Sequence, residues 1–394
     1  MNHLNPVVRY PTSEGCVWIA RRSDLQSLAA WRQALADQRK DYRYYELLEE
    51  TIIQGFDYRY FVVEDGVGRV RAVQPFFFLQ QDILQGSGDR LLSAAGKVRR
   101  VFPRFLTLRT LMVGCAAGEG HLDRGKEAEA KWVARQIHDM LKRYAKRSRA
   151  SMVVLKEFPS TYRATLRPFS SNGYTRVPSL PSVKIHLPFK DFDDYMAKSL
   201  SKATRKDLRR KFRDTDGLGI TMEVLTDLTP FVDELYPLYL QVYERSDLRF
   251  EKLTKPFLCK LGQTMPDKAR FFVWRKDGKA IAFSVCMIVG DELHDEYVGL
   301  DYSVALDLHL YFCTLRDVFQ WMMQNGFVWY CSSAMGYEPK LRLKAKLAPL
   351  DLYVAHTSGI FNQVLKRVLP LLEPTRSDKT LREFPNFDEL WGKA

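Results

Sequence analysis

A strand-like segment followed at once by a helical segment is the feature that most constrains the fold of this chain. Within residues 291–326 the strand-like sequence is LHDEYVGL (293–300), and a helical stretch from about Val304 to Gln324 ends at Asn325-Gly326. The amide groups of a first helical turn attract anions. The pattern therefore predicts a βα unit in which acidic side chains at a strand end lie beside an anion-binding helix start, a geometry suited to acyl transfer.

Length and composition predict two globular domains. The chain has 394 residues, more than one core usually holds, and 46% of them are hydrophobic and 27% charged, as in folded proteins. No apolar run approaches the ~20 residues of a membrane span, and the N-terminal sequence MNHLNPVVRY lacks the pattern of a secretion signal. The six cysteines form no CxxC pair or Cys/His cluster. This favours a reduced, cytoplasmic protein without disulfides or bound metal.

The net charge of +13 predicts an anionic partner: a nucleic acid, a nucleotide-bearing cofactor or an anionic lipid surface. Seven basic side chains fall between Lys202 and Arg213. Helical spacing places five of them on one face: Lys202, Arg205, Lys206, Arg209 and Arg213. The face is either a binding surface or a solvated helix surface, and the residues alone leave both interpretations open.

The two halves of the chain show a similar order of elements. In the first half, a glycine-rich loop (114–122) separates strands from a long helix; the segments are strands 59–65, 70–84 and 106–113, helix 126–147, strand 151–158 and strand 183–188. In the second half the segments are helices 201–213 and 229–246, hairpin 269–290, strand 293–300, helix 304–324, and strands 327–333 and 347–355. This order predicts an N-terminal domain at 1–188, a C-terminal domain at 189–372 and a polar surface extension at 373–394.

The order of elements resembles the GNAT superfamily of N-acyltransferases, and two such units in one chain resemble its FemAB-like branch. The segments that carry the resemblance are SLSKATRKDLRRKFR (199–213), GLDYSVALDLHLYF (299–312) and GYEPKLRLK (336–344). The resemblance implies an α/β (α+β) fold of two GNAT-like units, each a mixed, largely antiparallel sheet flanked by helices. It also implies acyl-CoA or an acyl carrier protein as a co-substrate, with no tightly bound cofactor.

The loops depart from the family pattern. A GNAT cofactor loop begins with Arg or Gln two residues before paired glycines. Here Glu119 stands between Gly118 and Gly120, and the corresponding loop of the second unit (300–308) has no glycine pair. A carboxylate is unfavourable beside a pyrophosphate. The donor is therefore held differently, or it is not coenzyme A.

Amide formation needs a base for the proton of the amine and a donor for the oxyanion. Glu296, near the strand end, is the first candidate base, and His294 lies on the same strand. Lys340 matches a lysine that the FemAB-like branch associates with the donor or the developing charge. The alternative is that the first two are polar residues of a half-solvated strand and Lys340 is a loop lysine.

Other polar residues around these candidates are expected to bind ligands. Asp301 and Ser303 precede the long helix, where they cap it or present its amides to substrate. The candidate substrate-binding residues are Tyr297, Asp301, Ser303, His309 and Tyr337. The candidate cofactor-binding residues are Gly118, Gly120, Arg205 and Arg209.

The preferred hypothesis is an N-acyltransferase with a cleft between its two units, acting on an amine acceptor such as a lipid amine or an amino acid. The amphipathic stretch VLKRVLPLL (364–372) suggests contact with an anionic membrane surface at the inner membrane face. Two alternatives stay open. One is an aminoacyl-tRNA-dependent FemAB-like transferase, and the other is a non-catalytic module that binds nucleic acid or an anionic surface.

Overall fold

A computed structural model describes residues 8–82, 96, 107–123, 127–246, 249–334, 336–376 and 378–392. The chain divides into two units, and each unit is built from segments that are not contiguous in sequence. Unit 1 comprises residues 1–179, 349–375 and 391–394, and unit 2 comprises residues 180–348 and 376–390.

Unit 1 is built on an eight-stranded sheet in the order β1-β2-β3-β4-β5-β6-β15-β7. Its strands are β1 (Arg9–Pro11), β2 (Gly15–Ala20), β3 (Asp57–Asp65), β4 (Val70–Asp82), β5 (Thr107–Val113), β6 (Met152–Pro159), β7 (Thr175–Pro178) and β15 (Leu350–His356). Neighbouring strands are antiparallel except for β5 and β6, which are parallel.

The unit 1 helices are α1 (Arg22–Leu25), α2 (Ala29–Arg32), α3 (Tyr42–Thr51), α4 (Glu127–Arg147), α5 (Arg167–Ser171) and α12 (Gly359–Leu372). Short 3-10 turns occur at Ser160–Tyr162 and Pro374–Arg376. Helix α4 connects the two parallel strands and buries an apolar stripe against the sheet, including Val133, Ile137 and Leu141. Burial of this stripe is what makes the amphipathic sequence fold as a helix here.

Unit 2 is built on a seven-stranded sheet in the order β14-β8-β13-β12-β11-β10-β9. Its strands are β8 (Ser182–His186), β9 (Thr221–Leu225), β10 (Ala269–Lys276), β11 (Lys279–Val289), β12 (Glu292–Leu300), β13 (Trp329–Ser332) and β14 (Lys346–Ala348). Only β12 and β13 pair in parallel among these described strands.

The unit 2 helices are α6 (Phe192–Ser199), α7 (Lys202–Thr215), α8 (Val232–Arg245), α9 (Lys255–Thr264), α10 (Leu310–Gln324) and α11 (Tyr337–Arg342). Short 3-10 turns occur at Thr229–Phe231, Leu381–Glu383 and Phe387–Leu390. Helix α10 joins the parallel strands β12 and β13, just as α4 joins β5 and β6 in unit 1. Both units therefore have the predicted α/β architecture, a largely antiparallel sheet that ends in a parallel βαβ connection.

The observed division departs from the predicted domains 1–188 and 189–372. Strand β8 pairs with β13 and β14 and so belongs to unit 2. Strand β15 pairs with β6 and β7 and so belongs to unit 1, although its sequence is continuous with β14. Pairing between strands distant in sequence decides this membership, and local pattern cannot reveal it.

Two further predictions are corrected. The long helix begins at Leu310 and not near Val304, because Asp301 and Ser303 form a separate turn. The segment 373–394 is not a plain surface extension, since Leu381, Phe384 and Leu390 are buried.

No helix in the described ranges is both long and apolar enough to cross a lipid bilayer.

Candidate active site

A β-bulge in strand β12 places the predicted base. Strand β12 pairs with β11 through Tyr297 opposite Val285 and Asp295 opposite Cys286, which leaves Glu296 as the extra residue between them. A bulge bends the strand and turns a side chain away from the regular alternation. Glu296 is half-buried and its negative charge acts on both Asp295 and Cys286.

Asp295 lies at the centre of a polar cluster that involves three strands. The Tyr330 hydroxyl, on β13, donates to Asp295 Oδ2 at 2.8 Å, and the Cys286 thiol lies 3.8 Å from Oδ1. Removal from water raises the pKa of the Asp295 carboxyl to about 6, although the Tyr330 hydrogen bond and the charge of Lys340 act in the opposite direction. An aspartate with this pKa exchanges its proton near neutrality.

Lys340 contributes a buried positive charge to the same cluster. Its side chain extends from the short helix α11, is only 6% exposed, and donates from Nζ to the Ser333 carbonyl at 2.8 Å. Burial lowers the pKa of the ammonium group to about 8, and the Asp295 carboxylate partly offsets that effect. Gly336 before the helix has φ of 60°, which lets the chain turn sharply from β13 into α11.

Tyr311 is a member of this cluster that the sequence did not identify as polar. It lies at the helical spacing of the apolar residues of the long helix, where an aromatic residue usually packs in a core. Its hydroxyl is buried and, within the described residues, has no hydrogen-bond partner. Burial raises the pKa of Tyr311, and the charge of Asp295 raises it further. Buried hydroxyl groups normally have a hydrogen-bond partner, so the Tyr311 hydroxyl is an exception to this rule.

His294 belongs to a different group, because consecutive strand residues point to opposite faces of a sheet. Its Nε2 lies 2.8 Å from Glu292 Oε2, and Lys184 Nζ donates to Glu292 Oε1 at 2.7 Å. These two partners, His294 first, lower the pKa of Glu292 to about 2. The structure therefore separates His294 from the Asp295 cluster.

The same face carries the described group best placed to hold a metal ion. Ligand atoms of Glu292, His294 and Cys331 lie within 4.8 Å of one another. Carboxylate, imidazole and thiolate are the ligand types that zinc accepts. However, the ammonium group of Lys184 already donates to one carboxylate oxygen of Glu292, and its positive charge repels a metal cation at the same place.

The predicted substrate-binding residues are spread over unit 2. Tyr297 donates to Glu251 Oε1 at 2.6 Å. Asp301 accepts hydrogen bonds from the Ser303 amide at 3.0 Å and from Lys279 at 3.1 Å. Asp301 and Ser303 therefore close a turn and do not cap helix α10.

His309 and Tyr337 occupy helix starts. His309 stands before α10 with φ of 47°, and its Nε2 lies 3.6 Å from Asp214. Tyr337 begins α11, where it is buried and donates to the Pro181 carbonyl at 2.8 Å. Of the two, only Tyr337 is on the same short helix as Lys340.

The glycine loop of unit 1 is held in place by hydrogen bonds to strand β6. The Gly120 amide donates to the Glu157 carbonyl at 3.1 Å, and the Gly118 carbonyl accepts from Lys156 at 2.8 Å. A Cβ at Gly120 would lie 2.4 Å from the Lys156 carbonyl oxygen, which explains why glycine is present there. These contacts indicate a structural turn.

Glu119 in this loop is paired with cations and is not a group facing an anionic ligand. Arg39 forms an ion pair with its carboxylate, and Lys40 Nζ lies 3.9 Å away. Although burial opposes it, these cations hold the pKa of Glu119 well below its ordinary value. The unfavourable charge that the sequence predicted is therefore neutralised within the fold.

The candidate residues of the basic helix lie on α7 of unit 2. Arg205 is half-buried and donates to the Ala197 carbonyl at 2.9 Å, while Arg209 is exposed. The apolar residues Leu208 and Phe212 are buried and attach the helix to its unit. Most of the basic side chains of α7 therefore face solvent.

Comparison with known proteins identifies the family of part of the chain. Residues 202–338 match the model of the acetyltransferase (GNAT) domain family. No curated protein sequence is significantly similar to the chain.

Several solved structures are similar in fold. FemX has 11% sequence identity and a TM-score of 0.50, with 83% of this chain and 93% of FemX covered. The L-PGS structure from Bacillus licheniformis has 14% identity and a TM-score of 0.48, covering 85% of this chain and 97% of that one. A tandem GNAT protein from the clavulanic acid biosynthesis pathway has 11% identity and a TM-score of 0.44, covering 80% and 89%.

At these identities a structural likeness shows the fold alone, and FemX shows it over most of both chains. The matched family segment contains β12, α10, β13 and the start of α11, and so includes most of the Asp295 cluster. Residues 202–338 of this chain thus match the acetyltransferase (GNAT) domain family, and the fold of the chain is similar to that of FemX.

Proposed function

We propose that this protein is an N-acyltransferase that transfers an acyl group directly to an amine, with its chemistry at the bulged end of β12 in unit 2. The observation that carries the proposal is that the buried Lys340 ammonium and the Asp295 carboxyl act on each other electrostatically, with pKa values of about 8 and about 6 that lie on either side of neutrality. Groups with such values are typical of catalytic sites.

In the proposed reaction the amine nitrogen attacks the acyl carbonyl, and Glu296 accepts the proton that the nitrogen loses. The new C–N bond forms as the bond between the acyl carbon and the donor breaks. The leaving group departs as a thiolate, or it takes up the proton held by Glu296 and departs as a thiol or an alcohol. Lys340 supplies positive charge for the oxyanion. That charge acts strongly because the ammonium is removed from water.

Asp295 and Tyr330 favour the charged form of the lysine. The Asp295 carboxylate raises the pKa of Lys340, and so favours the ammonium form that oxyanion stabilisation requires. The Tyr330 hydrogen bond in turn favours the ionised form of Asp295. The loss of either group weakens the charge at Lys340 without removing it.

The donor class that best fits is acyl-CoA or an acyl carrier protein. Acyl-CoA is the general co-substrate of GNAT domains, and residues 202–338 match that family. The acceptor is an amine, and a lipid amine or an amino acid are the classes considered. His294 is a weaker candidate base, since it is hydrogen-bonded to Glu292.

The test is thiol release from a panel of acyl-CoA thioesters, measured with and without candidate amines, with mass spectrometry of the amide product. Glu296→Gln should reduce the amine-dependent rate by about 10²-fold or more, the range usual for general bases. Glu338→Gln is a matched control, because Glu338 is an exposed glutamate two residues from Lys340. Amine-dependent release that is unchanged in Glu296→Gln contradicts the assignment of the base.

A second candidate function is transfer from an aminoacyl-tRNA. It is favoured by the solvent-facing basic residues of helix α7, which include Lys206, Arg209 and Arg213. Binding through phosphates predicts affinity for tRNA that falls steeply with salt. Lack of tRNA binding at low salt would remove this candidate and leave the thioester reaction untouched. Amine-dependent thiol release would likewise discard a purely non-catalytic module.

A further inference from the structure

Helix α12 of unit 1 exposes a continuous apolar face. Its exposed hydrophobic side chains are Ile360, Phe361, Val364, Val368, Leu371 and Leu372. At 100° per residue these positions fall within about a third of the helix circumference. Ile360 and Leu371 are each 79% exposed, near opposite ends of the helix, so the face runs along its whole length.

The opposite side of the helix attaches it to unit 1. Asn362 is the buried residue of α12, and its side chain donates to the Gly173 carbonyl at 2.8 Å and accepts from the His356 amide at 2.8 Å. The apolar face is therefore not a core face that has lost its neighbours. An isolated exposed leucine needs no explanation, but a contiguous apolar strip marks an interaction surface.

A basic cavity adjoins the first turn of this helix. It has a volume of about 280 Å³ and is lined by Lys142, Arg143, Lys146, His356, Thr357, Gly359 and Asn362. Burial lowers the pKa of Lys142, and the nearby charges of Lys366, on α12 itself, and of Lys146 lower it further. The exposed Arg367 follows next along the helix, beside the apolar strip.

The combination of an apolar strip with a basic border selects among possible occupants. A second copy of the chain would bring two basic borders together, and their repulsion opposes such a dimer. An anionic bilayer offers hydrocarbon to the strip and negative headgroups to the border, which is how interfacial helices bind. Long basic side chains at the edge of such a helix reach the headgroups.

We propose that helix α12 and the adjoining cluster of Lys142, Arg143 and Lys146 dock unit 1 onto an anionic lipid bilayer surface. The helix lies in the plane of the interface with its apolar strip in the acyl region, and the cavity receives a lipid phosphate. This interaction does not depend on the acyl-transfer reaction, so it is tested without an activity assay.

The experiment is flotation of the full-length protein with vesicles of phosphatidylcholine alone or of phosphatidylcholine and phosphatidylglycerol in equal parts. The native protein should float with the anionic vesicles and far less with the neutral ones. Ile360→Ser/Phe361→Ser should abolish flotation. Lys146→Glu/Arg367→Glu should weaken binding roughly five-fold for each basic residue lost. Added salt should weaken the native interaction in the same direction.

Two matched controls separate docking from general effects. Val67→Ser removes an 87% exposed valine from unit 1, and Lys131→Glu reverses an exposed charge about four turns before Lys146 on α4. Both should float like the native protein, and circular dichroism should show that all variants are folded. Equal binding to neutral vesicles, no binding to anionic ones, or a lipid-free dimer lost in Ile360→Ser/Phe361→Ser would each overturn the proposal.

Discussion

Tyr330 and Asp295 lie on adjacent parallel strands, and the tyrosine hydroxyl donates to the aspartate Oδ2 at 2.8 Å. The two side chains are on the same face of the unit 2 sheet because Tyr330 pairs with Leu293, two residues from Asp295. Asp295 is also within the electrostatic reach of Lys340, Glu296 and Tyr311. One strand position therefore connects the bulge, helix α10 and helix α11.

The activity should have a bell-shaped dependence on pH. Below about pH 6 Asp295 takes up a proton, which leaves the buried Lys340 ammonium without its counter-charge in the cluster, and above about pH 8 Lys340 loses its proton. The rate should fall on both sides. The measurement is kcat/KM for amide formation across this range, with the two apparent values assigned to the coupled pair. A rate that is flat between pH 5 and 9 would contradict the proposed roles.

Tyr330→Phe should move the acidic limb of that profile to higher pH. The Tyr330 hydrogen bond lowers the pKa of Asp295, so without it the carboxyl keeps its proton to a higher pH. The basic limb should change much less. A pH titration of activity checks this, and Tyr236→Phe, which removes a hydroxyl from the same unit, is the control. An acidic limb that stays in place would show that Asp295 does not govern it.

Asp351→Ala should destabilise unit 1 strongly. Asp351 is fully buried, accepts from Arg163 at 2.6 and 3.1 Å, and accepts from Arg176 at 3.0 Å. Its removal leaves two guanidinium groups without their carboxylate, a change that typically costs about 3–5 kcal/mol. Urea unfolding measures the loss. A small effect would argue against the placement of β15 between β6 and β7.

Glu119→Gln should lower the free energy of unfolding at neutral pH, and by less in acid. Cations hold the pKa of Glu119 below its ordinary 4.5, so its ion pairs stabilise the fold above that value, and the contribution is lost as pH falls through the folded pKa. The difference between native and variant protein should therefore shrink at low pH. Thermal unfolding at pH 7 and pH 3 tests this sign.

Local pattern predicted many elements of both units. The hairpin at 269–290 and the strand at 293–300 are confirmed, with β12 beginning one residue earlier at Glu292. The helix predicted at 126–147 is confirmed as α4. These succeed because side-chain periodicity and turn residues act over a few neighbours. The predicted start of α10 was wrong, because Asp301 and Ser303 form a hydrogen bond with each other instead of capping the helix.

The site was only partly accessible to such reasoning. Glu296 and Lys340 were proposed from the order of elements, and they remain proposals, but Asp295 and Tyr330 were missed as partners. Neither has a local signal, since β12 and β13 are separated by a whole helix. The position of Tyr311 on an apolar stripe likewise concealed its polar environment.

The amino-acid sequence by itself determined the element types, the twofold repetition of a GNAT-like order and the excess of positive charge, because each depends on neighbouring residues or on composition. Only the tertiary structure decided that β8 and β15 belong to different sheets from those predicted, and that a bulge, an aspartate and a lysine meet in unit 2. Strand pairing and burial are properties of residues far apart in sequence, and they set both the register and the pKa values.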